Sequence, residues 1–184
     1  MMEWLSNLEF SILYGLQELH NPILDQIMIF ITTLGDAGLF WIAVGIMCLF
    51  FKNYRKMGWQ VLLAMLVTFI VGNLILKNVI ARPRPFAVDP EVLKLLIIPQ
   101  PGEYSFPSGH TMNGFTAAFT LFFNNKKIGI PALILATVIA FSRLYHFVHF
   151  PTDIIGGFCV GIGVAILMHY IFKKVQVRKQ SITK

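Results

Sequence analysis

SRLYHFVHFPTD, residues 142–153, sets an arginine, two histidines and an aspartate between two long apolar runs. Ionisable groups beside segments of that character are costly to place near lipid and need a reason. Two further polar islands have the same character: KNVIARPRP at 77–85 and PSGH at 107–110. The rest of the chain reads as apolar scaffold that brings the three islands together. Of 184 residues, 56% are hydrophobic and 13% charged, and the mean hydropathy is +0.69. That balance belongs to an integral membrane protein and not to a soluble domain of this size. No linker, low-complexity tract or internal repeat divides the chain, so residues 1–184 are read as one membrane-embedded domain. Cys48 and Cys159 lie inside apolar runs and are read as small core residues, not as a disulfide or metal site.

Working outward from 142–153, the flanking helices are expected at 130–147 and 153–172. Pro131 suits a first helical turn, and Gly156, Gly157, Gly161 and Gly163 permit close packing on a neighbour. Three more apolar helices are expected at 108–123, 58–76 and 37–51. Between them, 82–106 carries Pro83, Pro85, Pro90, Pro99 and Pro101, which excludes a regular helix and predicts a functional loop or lid. Residues 3–19 place Leu5, Leu8, Ile12, Leu16 and Leu19 on one stripe opposite Glu3, Ser6, Asn7 and Glu18. This is an amphipathic helix lying in the membrane interface, and it lacks the parts of a signal peptide. Asn21-Pro22 breaks it. Residues 22–34 are apolar but short, and either cross alone or continue the first helix, before a turn at 35–38. The expected fold class is an all-α, polytopic membrane helix bundle of about six helices.

The net charge of +6 raises the question of nucleic acid, but the bases cluster at the ends of apolar runs, which is a topology signal. Lys52, Arg55, Lys56, Lys126, Lys127, Lys173, Lys174, Arg178, Lys179 and Lys184 fall on one side, ten in all. Lys77, Arg82, Arg84, Lys94 and Arg143 fall on the other, five in all. The richer side is expected to be cytoplasmic, with the C-terminus, and the three islands to face outward from the plasma membrane.

On that face, Lys77, Arg82, Arg84 and Arg143 imply an anionic ligand, because guanidinium forks match phosphate oxygens and lysine adds a point charge. PSGH opens an apolar helix, whose N-terminal N–H groups and dipole also favour phosphate. The same cations would stabilise charge on a transferring phosphoryl group. His149 and Asp153 are four apart and share a face on a continuous helix, with Pro151 between them complicating the local geometry. An aspartate on one ring nitrogen leaves the other able to attack, and His110 is placed to protonate a leaving oxygen and then activate water. Asp36, Asp89, Glu91, Glu103 and Asp153 are scattered, so no magnesium cluster and no cofactor is expected. Taken singly, each lysine or arginine at a helix end reads as a snorkelling anchor, and His20, His146 and His169 read as interfacial residues without a catalytic part. The conjunction of three islands on one side is what outweighs those readings.

These residues resemble a known family. Lys77-x6-Arg84-Pro85, Pro107-Ser108-Gly109-His110 and Ser142-Arg143-x5-His149-x3-Asp153 look like the three-part signature of the type 2 phosphatidic acid phosphatase superfamily. Every position is filled in order across residues 77–153, which is far more specific than one short motif. The resemblance implies a six-helix membrane bundle and a metal-free phosphohistidine mechanism. It makes His149 the nucleophile, Asp153 its orienting partner and His110 the acid and then the base. Lys77, Arg84, Ser108, Gly109 and Arg143 would hold the phosphoryl oxygens. Arg82, outside the strict signature, is kept as a supporting phosphate contact. The weak first span departs from a clean six-helix pattern. The small size resembles bacterial members, which take phosphate from undecaprenyl diphosphate, phosphatidylglycerol phosphate, phosphatidate or related lipids. Phe86, Tyr104 and Phe106 are candidates for a lipid-tail entrance. Three readings stay open: a lipid phosphatase, a phosphotransferase using the same phosphohistidine, and, ranked lower, a phospholipid transporter. Membrane composition argues against the soluble haloperoxidases of the superfamily. Oligomeric state is not readable.

Overall fold

The computed structural model describes residues 2–102 and 104–182, with side chains described over 6–102 and 104–176. Glu3, Leu5, Glu103, Arg178, Lys179 and Lys184 of the expectations above lie outside those described side chains. The described chain is helical: α1 (Met2–Gln17), α2 (Pro22–Thr33), α3 (Leu39–Phe50), α4 (Arg55–Thr68), α5 (Lys77–Ile80), α6 (Pro85–Val88), α7 (Gly109–Asn124), α8 (Lys126–Tyr145) and α9 (Pro151–Ile182). Three stretches are long and apolar enough to cross a membrane: Arg55–Val88, Lys126–Tyr145 and Pro151–Gln176. The pair Pro22–Thr33 and Asp36–Phe50, bent by 42°, passes the same test only when taken together, as a broken span or a re-entrant loop. This is a multi-pass membrane protein.

The N-terminal ambiguity resolves in three dimensions. The face of α1 that docks on the bundle carries Glu9 and Leu13, and Leu13 packs with Val92, Phe147 and Phe150. The stripe of Leu8, Ile12 and Leu19 is exposed, turned away from the protein. A helix that packs one face on the end of a bundle and shows apolar residues on the other suits an interfacial position. α2 then continues into α3 through a break, so residues 22–50 form one bent element.

α7 is the central helix and packs on α4, α8 and α9. Polar groups are matched across helices: buried Thr116 shares a hydrogen bond with Thr68 at 2.8 Å, and Asn124 at the end of α7 donates to buried Gln60 of α4. The apolar runs are thus less clean than expected, and the polar side chains serve as interhelical contacts. Gly156, Gly157 and Gly161 of α9 lie close against Phe106, Ser108 and Met112, whereas Gly163 faces open space. Cys159 is exposed on the outside of α9 and is not a core residue. Nor is Pro131 in a first turn, because α8 starts at Lys126, where Asn125 caps it by accepting from the Lys127 N–H at 3.0 Å.

α7 and α8 meet at the corner around Asn125, so the Gly109–His110 start of α7 and the Arg143 end of α8 lie at the same end of the bundle. The same end of the bundle carries Lys77, Arg82, Arg84 and Arg143. The opposite end gathers Lys52, Arg55, Lys56, Lys126, Lys127, Lys173 and Lys174, with Lys56 donating to Gln176.

Candidate active site

A cavity of about 710 Å³ opens at this end of the bundle. Lys77, Arg84, Arg143, His110, His149 and Gly109 line one part of it, and Ile42, Leu62, Met65, Leu66 and Phe69 line another. The volume falls within the range of small-molecule sites. The cations are buried, not snorkelling: Arg143 is 3% exposed. Its Nη1 donates to Thr32 Oγ1 at 2.5 Å, while among the described residues nothing accepts from its Nε. Arg84 is held by the Val148 carbonyl at 2.8 Å and the Gly102 carbonyl at 3.1 Å.

His149 follows α8 in the short connection to α9 and is 2% exposed. Its Nδ1 lies 3.4 Å from Asp153 Oδ2, and its Nε2 lies 3.2 Å from Arg84 Nη1. A guanidinium can only donate, so Nε2 is an acceptor and Nδ1 carries the hydrogen toward Asp153. That tautomer leaves the lone pair on Nε2, on the cavity side. Burial, and then the charges of Arg84, Arg143, His110 and Lys77, hold the imidazole well below its ordinary value of 6.5, so it is neutral at pH 7. Asp153 is fixed from two further sides, accepting from the Phe150 N–H and from Arg82 Nη1, each at 2.8 Å.

His110 sits in the first turn of α7, and its Nε2 lies 3.0 Å from Asp36 Oδ1. A carboxylate accepts, which places the hydrogen on Nε2. Asp36 lies in the break between α2 and α3, where Ala37 (φ 50) and Gly38 (φ 70) are both left-handed. A non-glycine residue there is strained by about 1 kcal/mol or more. Gly35 permits the fit, since a Cβ on it would stand 2.3 Å from His110 Cδ2. The break and the turn of α2 before it thus hold two cavity-lining residues, His110 through Asp36 and Arg143 through Thr32. The sequence reading took this stretch as a plain turn; an acid flanked by glycines between apolar runs was the available signal.

Other expectations move. Ser108 is fully buried at the start of α7; its N–H donates to the Asp153 carbonyl at 3.1 Å, and its Oγ accepts from Thr111 Oγ1 at 3.0 Å. Arg82 does not line the cavity. It binds Asp153, Thr152 and Glu9 instead, because those acceptors are nearer. Phe106 packs on Gly156, and Phe86 on the cluster of Leu13 and Val92, so neither lines the cavity. Its apolar wall comes from α3, α4 and the π-helical turn Phe69–Leu76, which also turns Asn73 inward. His146, read as interfacial, is fully buried, and burial lowers it to about 4.

Known proteins carry the same architecture. A phosphatidylglycerolphosphate phosphatase of transmembrane PAP2 type from Bacillus subtilis superposes with a TM-score of 0.75 at 26% identity, over 92% of this chain and 87% of that one. An undecaprenyl-diphosphatase of Sulfolobus acidocaldarius is 34% identical over 78% of this chain and 68% of its own length. The undecaprenyl-diphosphatase BcrC of Bacillus subtilis is 32% identical over 86% and 79%. The profile of the PAP2 superfamily matches residues 57–176, which takes in all three polar islands, and the chain belongs to that superfamily.

Proposed function

We propose that this protein removes phosphate from a membrane lipid phosphate or diphosphate through a phosphohistidine, without a metal. The lipids in view are undecaprenyl diphosphate, phosphatidylglycerol phosphate and phosphatidate. The observation that carries this reading is a single cavity with buried cations and two histidines in one part and an apolar wall in another. A phosphate headgroup fits the first and its lipid chain the second.

The His149 Nε2 lone pair attacks phosphorus as the bond to the leaving oxygen breaks. Lys77, Arg84 and Arg143 take the charge on the equatorial oxygens, with the start of α7 at Gly109 facing the same group. The leaving oxygen takes a proton from His110 in its imidazolium form, which becomes the neutral imidazole. A water then gives a proton back to His110 and its oxygen attacks phosphorus. The P–N bond breaks, releasing phosphate and neutral His149. Asp153 holds the imidazole throughout and balances its charge.

The test is phosphate release by purified protein in detergent with EDTA, over those three lipids, with His149→Ala as control. Histidine-dependent release from one of them is expected. Release that survives His149→Ala, or none from any lipid, overturns the reading. Label passing to an added lipid alcohol in place of water makes the protein a phosphotransferase. The site is proposed to face outward with the C-terminus cytoplasmic. In a background lacking Cys48 and Cys159, Lys94→Cys should react with an impermeant maleimide on intact cells, and Lys127→Cys only after permeabilisation. The reverse pattern inverts the orientation.

A further inference from the structure

Glu9 has no part in the mechanism above, yet it is 2% exposed. A carboxylate tolerates such burial only when its oxygens are bonded. Its Oε2 accepts from Arg82 Nη2 at 2.6 Å, and its Oε1 from the Thr152 N–H at 3.1 Å and Thr152 Oγ1 at 2.5 Å. Both partners adjoin Asp153. Arg82 Nη1 donates to Asp153 Oδ1 at 2.8 Å and to Thr152 Oγ1 at 2.6 Å, and the guanidinium lies 4.0 Å above the Phe150 ring. The guanidinium is thus gripped by one carboxylate on each side, in an unbroken line from Glu9 through Arg82 and Asp153 to His149.

We propose that Glu9 is a positioning residue for the His149–Asp153 pair, acting through Arg82 and the first turn of α9. The proposal rests on His149 being the nucleophile. Without Glu9, the whole charge of Arg82 falls on Asp153 and weakens what the carboxylate offers the imidazole. With Glu9 in place, Arg82 is neutralised from behind and serves as a brace. The groups facing His149 are then Lys77, Arg84, Arg143 and His110 as cations or dipoles, with Asp153 as the acid. Glu9 arrives on α1, whose Leu13 packs against Val92, Phe147 and Phe150 beside the site. The interfacial helix is therefore a working part of the catalytic end, and its seating and the alignment of His149 are linked.

The experiment compares wild type, Glu9→Gln, Glu9→Asp and His149→Ala in detergent on the lipid that wild type hydrolyses fastest. It reads kcat, KM, inhibition by orthovanadate as a phosphate mimic, and the pH profile of kcat/KM. Glu9→Gln is expected to lower kcat by about 10- to 100-fold. KM and vanadate inhibition stay within about twofold, because Glu9 does not line the cavity. The acid limb moves to lower pH, since loss of a nearby negative charge makes protonated His149 less stable. Glu9→Asp keeps the charge and the wild-type acid limb, with a smaller loss of kcat. The proposal is overturned if Glu9→Gln has wild-type kcat, if kcat falls with the limb unmoved, or if KM and vanadate inhibition weaken while kcat holds. If Glu9→Gln aggregates on size exclusion, Glu9→Asp decides: lowered kcat with unchanged vanadate inhibition supports the role, and wild-type kcat ends it. A fully active His149→Ala sinks the nucleophile assignment instead, a distinct outcome.

Discussion

The site contains two histidine–carboxylate pairs, and their contrast is instructive. His149, just before α9, and Asp153, in its first turn, are four residues apart and both buried, with Asp153 held by Arg82 and the Phe150 N–H. His110 on α7 and Asp36 in the break between α2 and α3 are 74 residues apart, and the Asp36 side chain is 61% exposed. The partners set opposite states. Arg84 beside His149 Nε2 leaves that atom without a hydrogen, and Asp36 beside His110 Nε2 puts one there. One imidazole thus presents a lone pair at Nε2 and the other a hydrogen, by environment and not by residue type.

The contrast can be broken by mutation. His149→Ala removes the attacking atom, and turnover should fall by about ten-thousand-fold or more with the fold retained. Steady-state phosphate release and size exclusion read this together. Asp153→Asn, which disturbs the buried tautomer, should cost about a thousandfold in kcat. Asp36→Asn, at the exposed pair, should cost only about tenfold, because solvent screens a surface carboxylate. Equal losses in the two asparagine variants would remove the distinction between the pairs. Gly35→Ala sharpens the second pair alone: its Cβ must displace the His110 ring, so kcat should drop while vanadate still binds.

Smaller effects follow from the state of His149. Attack needs the neutral ring, and burial and its cationic neighbours lower its proton affinity. The acid limb of kcat/KM should therefore lie below pH 6.5, the ordinary imidazole value, with activity lost only as pH falls through the depressed pKa. A limb at or above 6.5 would show that the cations do not act on the free enzyme in this way. Smallest of all, EDTA should leave the rate unchanged, and loss restored by magnesium would overturn the metal-free mechanism.

The difference between the pairs also marks what a chain can disclose. A spacing of four is local, so His149 and Asp153 were legible, as were the buried cations through their run of charge beside apolar segments. Asp36 was not, because its partner lies across a helix break whose shape depends on Ala37 and Gly38 adopting left-handed backbone. Arg82 was read as a phosphate contact since a guanidinium beside Arg84 has the right chemistry. Only the folded chain offers it Glu9 and Asp153 at shorter reach.

By itself, then, the sequence determined the membrane class, most helices, the polar end of the bundle and the three islands, because apolar run length and local residue spacing survive without tertiary information. The tertiary structure decided the rest: which nitrogen of each histidine bears the hydrogen, which face of α1 docks, where the apolar wall of the cavity comes from, and that Glu9 meets Arg82 and Asp36 meets His110. Those depend on contacts between residues distant in the chain. Such contacts are set by how the helices pack, and no local pattern encodes them.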